Sequence, residues 1–126
     1  MVRKKYIAVV VSAYFFSAFN TALAGQKHLE KHYQEKWCAG NGGQAEVVLP
    51  DQTRADCITP SHAVEFDFGK KWAEAIGQSL YYSLQTGKRG GIVLILDGPK
   101  DQKYWIRLNS TIQQFGLPID TWEIAK

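Results

Sequence analysis

Arg54-Ala55-Asp56-Cys57-Ile58-Thr59 and Ala63-Val64-Glu65-Phe66-Asp67-Phe68 are two short β-rich runs separated by Pro60-Ser61-His62, and Gly69-Lys70-Lys71 follows them directly. Turn-forming residues between the runs, and β-branched or aromatic residues within them, predict two strands joined by a tight connection. Alternation in the second run puts Val64, Phe66 and Phe68 on one face and Glu65 and Asp67 on the other. In the first run Asp56 lies on the opposite side from Cys57, so a hairpin brings Asp56 near Glu65.

Working outward, Ala45-Glu46-Val47-Val48-Leu49-Pro50 reads as a further strand, and the three together predict an antiparallel meander. Before them, Gln26 to Trp37 has Leu29, Tyr33 and Trp37 at four-residue spacing, one apolar stripe on a helix that Asn41-Gly42-Gly43 ends. After them, Lys70 to Thr86 turns helical, with Trp72, Ile76, Leu80 and Leu84 four apart and Gly87 as the stop. Gly91 to Leu96 is a continuous Ile-Val-Leu-Ile-Leu run, the composition of a central strand covered on both faces. Asp101 to Phe115 is a second amphipathic helix, with Tyr104, Ile106, Leu108 and Ile112 in reach of the core, ended by Gly116. Ile119 to Ile124 is a last strand at an edge. The order is α-β-β-β-α-β-α-β, an α+β fold with a central mixed sheet flanked by helices.

The ends of the chain change how its charge is read. Arg3, Lys4 and Lys5, the apolar stretch Tyr6 to Phe19, and Thr21-Ala22-Leu23-Ala24 predict a cleavable signal peptide over residues 1–24, with residues 25–126 as one exported domain, periplasmic or secreted. The chain has 15 Lys and Arg against 12 Asp and Glu. Those three basic residues are the whole excess, so the remaining domain is close to neutral. A long-range basic field for polyanions is excluded, and any such binding must be local. The two cysteines, Cys38 and Cys57, are expected to form one disulfide in an exported domain of this size, with metal binding or a catalytic thiol as the alternatives. His28 and His32, four apart on the first helix, lack a third ligand for a metal clip.

Asp56, Glu65 and Asp67 gathered at one strand pair would repel one another unless a cation sat among them, and hard Mg²⁺ or Ca²⁺ prefers such oxygen donors. On the helix after them, Lys71, Glu74, Gln78 and Tyr82 are spaced to lie along one side, apart from the Trp72-Ile76-Leu80 face. Metal ions that polarise a phosphate, with a lysine ammonium beside them, are what phosphodiester hydrolysis needs. The plain alternative makes Glu65 and Asp67 the solvated face of an edge strand and pairs Asp56 with Arg54.

This element order, with Asp56 on the second strand, Glu65 on the third and a polar helix opening directly after it, resembles the PD-(D/E)XK superfamily of restriction-endonuclease-like nucleases. The resemblance spans nearly all of residues 25–126. It implies a nuclease dependent on Mg²⁺ or Mn²⁺, nucleic acid as substrate, and Asp56 and Glu65 as metal ligands. Gln78 and Tyr82 resemble the Gln-x-x-x-Tyr of some branches, and Glu30 or Glu35 would be the first-helix acid of others. The superfamily's lysine belongs two residues after the acid, where this chain has Asp67; Lys70 and Lys71 stand instead at the helix start. The rival expectation is a catalytically inactive fold of the same type that serves as a binding or assembly module outside the cytoplasm.

Overall fold

The computed structural model describes Gly25 and residues 29–126. The signal segment expected over residues 1–24, the beginning of the first helix and His28 lie outside the described residues. The elements are helix α1 (residues 29–40), β1 (Gln44–Val48), β2 (Arg54–Ile58), β3 (His62–Phe68), α2 (Trp72–Thr86), β4 (Arg89–Leu96), α3 (Gln102–Phe115) and β5 (Ile119–Ala125). Single turns of 3₁₀ helix, Gly69–Lys71 and Pro99–Asp101, lead into α2 and α3.

One five-stranded mixed sheet runs in the order β1-β2-β3-β4-β5. β1, β2 and β3 pair antiparallel, as a meander must, while β3–β4 and β4–β5 are parallel and need the helical crossovers α2 and α3. β4 lies between β3 and the edge strand β5 and is buried from Gly90 to Leu96. On one face Ile92, Leu94 and Leu96 pack with Ala75 and Leu108 under α2 and α3. On the other, Val64, Phe66 and Val93 pack with Trp37 of α1, Trp122 of β5 and the Cys38–Cys57 disulfide. α2 comes down close to β4: a Cβ on Gly90 would lie 2.7 Å from Ser79 Oγ, and that hydroxyl donates to the Gly91 carbonyl at 3.2 Å.

Two apolar residues expected in the core are outside it. Leu84 is 79 % exposed and Ile106 is 61 % exposed. A four-residue step overshoots one helical turn by about 40°, so three steps from Trp72 carry Leu84 roughly 120° off the buried face. Trp72, Ile76 and Leu80 do pack against the core, and α2 buries Ala75, Ser79 and Tyr82 most deeply, at steps of four and three. Ile106 sits between the 104-108-112 rungs, of which Tyr104, Leu108 and Ile112 do reach the core.

Candidate active site

The ladder between β2 and β3 is short. It pairs only Cys57 with Val64 and Ile58 with Ala63, then the strands part. The β1–β2 ladder also skips a rung, between Ala45–Cys57 and Val47–Ala55, where Glu46 takes a left-handed backbone (φ 57°). Side chains fill the gap at Asp56. The Phe66 N–H donates to Asp56 Oδ2 at 2.8 Å, and the Gln34 amide donates to the Asp56 carbonyl at 2.9 Å and to Glu46 Oε1 at 3.1 Å. β3 continues past this opening, held on its other edge by β4 through Phe68.

Glu65 and Asp67 project from this stretch on the α2 side, and both are buried, at 6 % and 5 % exposure. A solvated edge strand is thereby ruled out for them. Burial pushes the Glu65 carboxyl up to about 10, with the charges of Asp56 and Asp67, a hydrogen bond to Asp56 and the charge of Glu30 adding to it. Burial, opposed by the Phe66 N–H bond, puts Asp56 at about 6. Asp67 rises to about 8, first through burial and then through Glu30, while Lys71 pulls it down. Glu65 Oε2 is a buried oxygen with no hydrogen-bond partner. An unpaired buried acceptor is costly, so this atom marks a place where a further group can be held.

α2 closes the site from above. Tyr82 is buried, its hydroxyl pushed up to about 12 by burial and then by the charges of Glu65 and Asp56, which keeps it neutral. Gln78 is half-buried one turn earlier on the helix. Lys71 is exposed at the start of α2, within electrostatic reach of Asp67, whereas Lys70 lines a separate pocket between the starts of α2 and α3. Of the two first-helix acids, Glu30 acts on Glu65 and Asp67, and Glu35 is an exposed partner of Lys31 at 3.8 Å. Asp56 does not pair with Arg54, whose guanidinium meets Glu46 at 3.4 Å.

Gln34 belongs to the site although the strand and α2 patterns do not point to it. Its signal was present, since Glu30, Gln34 and Cys38 form a second four-residue stripe beside Leu29-Tyr33-Trp37. His32 is exposed and packs edge-on against the Tyr33 ring at 5.8 Å, so it serves no metal clip with any described residue.

A second polar row lies at the opposite, N-terminal ends of β3, β4 and β5. Ser61 Oγ is 2.7 Å from His62 Nδ1, His62 Nε2 is 2.7 Å from Asp120 Oδ2, and Arg89 holds Asp120 through Nε at 2.7 Å and Nη2 at 3.2 Å. With a guanidinium neutralising its carboxylate, the row is a tie across three parallel strands. Arg89 first, and then His62, hold the Asp120 carboxyl below its ordinary value. The tie therefore stabilises fully above the unfolded carboxylate range and weakens as pH falls through it. Asp120→Asn is expected to cost about 1 kcal/mol at pH 7, discounted for the half-exposed setting, and less at pH 3, read from urea unfolding at both values.

Among the described residues, no group of three or more His, Cys, Asp and Glu side chains is arranged to hold a metal ion by itself. The Asp56 and Glu65 carboxylates with the unpartnered Glu65 Oε2 suit Mg²⁺, which commonly uses one or two carboxylates and fills its remaining positions with water and substrate phosphate. No protein-family model, curated protein or solved structure matches the chain.

Proposed function

We propose that the domain is an exported, metal-dependent phosphodiesterase of the PD-(D/E)XK type, acting on nucleic acid. The observation that carries the reading is the convergence of Asp56, Glu65 and Asp67 at the parting of β2 and β3, with one Glu65 oxygen buried and unpartnered. Asp56 and Glu65 would hold Mg²⁺ or Mn²⁺, which when bound polarises a phosphate and acidifies a water. Asp67 is the auxiliary acid: its raised affinity for a proton suits it to protonate a leaving oxygen near neutral pH. Lys71, at the start of α2 and within electrostatic reach of Asp67, places an ammonium where phosphate charge develops, and Gln78 lines the α2 wall. The Cys38–Cys57 disulfide is compatible with an oxidising compartment, and no helix among the described residues is long and apolar enough to cross a membrane.

The test is cleavage of plasmid DNA, single-stranded DNA and RNA by residues 25–126 in Mg²⁺ and Mn²⁺. Glu65→Ala is expected to lower the rate by on the order of a thousandfold or more while the circular dichroism spectrum stays native. Equal rates in wild type and variant would sink the assignment. A second reading, an inactive fold used as a binding module, is favoured by Asp67 standing where the superfamily has its lysine. Folded wild type that cleaves none of the three substrates and binds neither metal would exclude the enzyme and leave this reading.

A further inference from the structure

Beyond Asp67 the edge of the sheet changes character. The parallel strands β3, β4 and β5 all end on this side, and the crevice outside the carboxyl ends of parallel strands is where open α/β sheets take their ligands. A pocket of about 330 Å³ opens there, with Lys70, Lys100, Lys103 and Lys126 among its walls. Phe68, one Cα step past Asp67, also lines it. Two carboxylates share the space and both are engaged: Asp101 Oδ2 accepts the Asp97 N–H at 2.8 Å, and Asp97 meets Lys126 Nζ at 3.8 Å. Lys103 Nζ lies 5.0 Å over the Tyr104 ring. Among the described residues, Lys70, Lys100 and Lys103 form no ion pair.

These lysines stand where a folded chain on its own gains least from them. Lys70 precedes the first turn of α2, which carries Glu74, and Lys100 and Lys103 flank the start of α3, whose N-cap is Asp101. A helix N-terminus bears about half a positive charge, so cations there raise the energy of the folded state. Four ammonium groups against the carboxylates of Asp97 and Asp101, the first of which already pairs Lys126, leave a net positive concavity beside two helix starts. An oxyanion with several acceptors relieves all of these at once.

We propose that this pocket is a phosphate-binding site that grips a nucleic acid strand next to the acidic cluster, with Lys70, Lys100 and Lys103 as its principal contacts. It supplies the local polyanion affinity that the balanced overall charge does not, and it assigns Lys70 to strand binding. The proposal rests on the nucleic-acid reading above but not on cleavage.

Binding is measured by fluorescence anisotropy of a labelled single-stranded DNA 12-mer in EDTA, on otherwise full residues 25–126 carrying Glu65→Gln so that nothing is cut. Lys100→Glu with Lys103→Glu is expected to weaken binding by about tenfold or more at low salt, and to lower the slope of log affinity against log salt by about 1.4. Lys31→Glu with Lys36→Glu on α1 makes the same change in net charge and is expected to cost less than about threefold. Equal losses in the two double variants, or no binding by the parent, would overturn the site. So would binding to phosphatidylglycerol vesicles in place of the oligonucleotide. Pocket-dependent binding in a wild-type protein that cleaves nothing keeps the site and removes the enzyme; cleavage and binding untouched by the lysine changes keep the enzyme and remove the site.

Discussion

Glu65→Gln will make the domain more stable at pH 8 to 9 in EDTA and will flatten the dependence of its melting temperature on pH. The Glu65 carboxyl is raised from an ordinary 4.5 to about 10, and Asp67 from 3.8 to about 8, by burial and by neighbouring carboxylates. A folded-state proton affinity above the unfolded one means the native state binds more protons between the two values. The contribution to stability is therefore complete below about pH 4 and lost progressively as pH climbs toward 8 and beyond. Gln keeps the shape and carries no charge to desolvate, so the difference between variant and wild type should grow with pH, to on the order of 2 kcal/mol at pH 9. That corresponds to roughly 8 to 16 °C in a domain of about a hundred residues.

The same variant separates a cation site from a plain acid cluster. Mn²⁺ at a hundredfold excess over its dissociation constant would stabilise wild type by about 2.7 kcal/mol at pH 8, and the Glu65→Gln protein should show little of this. Parallel melting curves for the two proteins from pH 5 to pH 9, with no metal response in either, would contradict both the burial argument and the metal assignment.

Loss of the Cys38–Cys57 bridge is the other large effect. The two positions are 19 residues apart in sequence, with Cα atoms 5.8 Å apart, and the bridge joins α1 to β2 one residue from Asp56. Closing a loop of that length removes roughly 3 kcal/mol of unfolded-chain freedom on the entropy account. Both sulfurs are buried under Gly43, where an added Cβ would lie 2.6 Å from Cys57 Sγ and 2.7 Å from Cys38 Sγ, so the backbone is packed directly on the bridge. Against a total stability of about 5–15 kcal/mol this is a large fraction. Cys38→Ala with Cys57→Ala, or reduction with dithiothreitol, should lower the melting temperature by more than about 10 °C. Because Gln34 sits one turn before Cys38 and holds the Asp56 carbonyl, the loosened helix should also weaken Mn²⁺ binding. An unchanged melting temperature would show that packing alone holds α1 in place.

Local pattern was enough for the skeleton of this molecule. Period-two alternation placed Glu65 and Asp67 on one side of β3 because successive side chains of any strand point to opposite faces. The Ile-Val-Leu-Ile-Leu run marked the doubly covered β4, since only a strand buried on both faces can be apolar without a break. Glycines placed the ends of α2 and α3 correctly, at Gly87 and Gly116. The same local rule misled at Leu84, where a fixed step of four drifts around a 3.6-residue helix.

What depends on elements far apart in sequence emerged only from the fold. Glu30 rather than Glu35 faces the acids, because the pose of α1 is set by Trp37, Trp122 and the disulfide together. Lys71 rather than Lys70 faces Asp67, because one 3₁₀ turn before α2 sends neighbouring side chains to different sides. The lysine pocket draws on four positions spread from 70 to 126, and the Ser61-His62-Asp120-Arg89 row on three strands. The sequence by itself therefore determined the order of elements, the facing of the two β3 acids and the presence of a cysteine pair, all properties of neighbouring residues. The tertiary structure alone decided the depth of burial of those acids, the parting of β2 from β3 and the partner each polar group meets. Burial and desolvation are properties of assembled surfaces, and no residue carries them before the sheet and its helices have closed together.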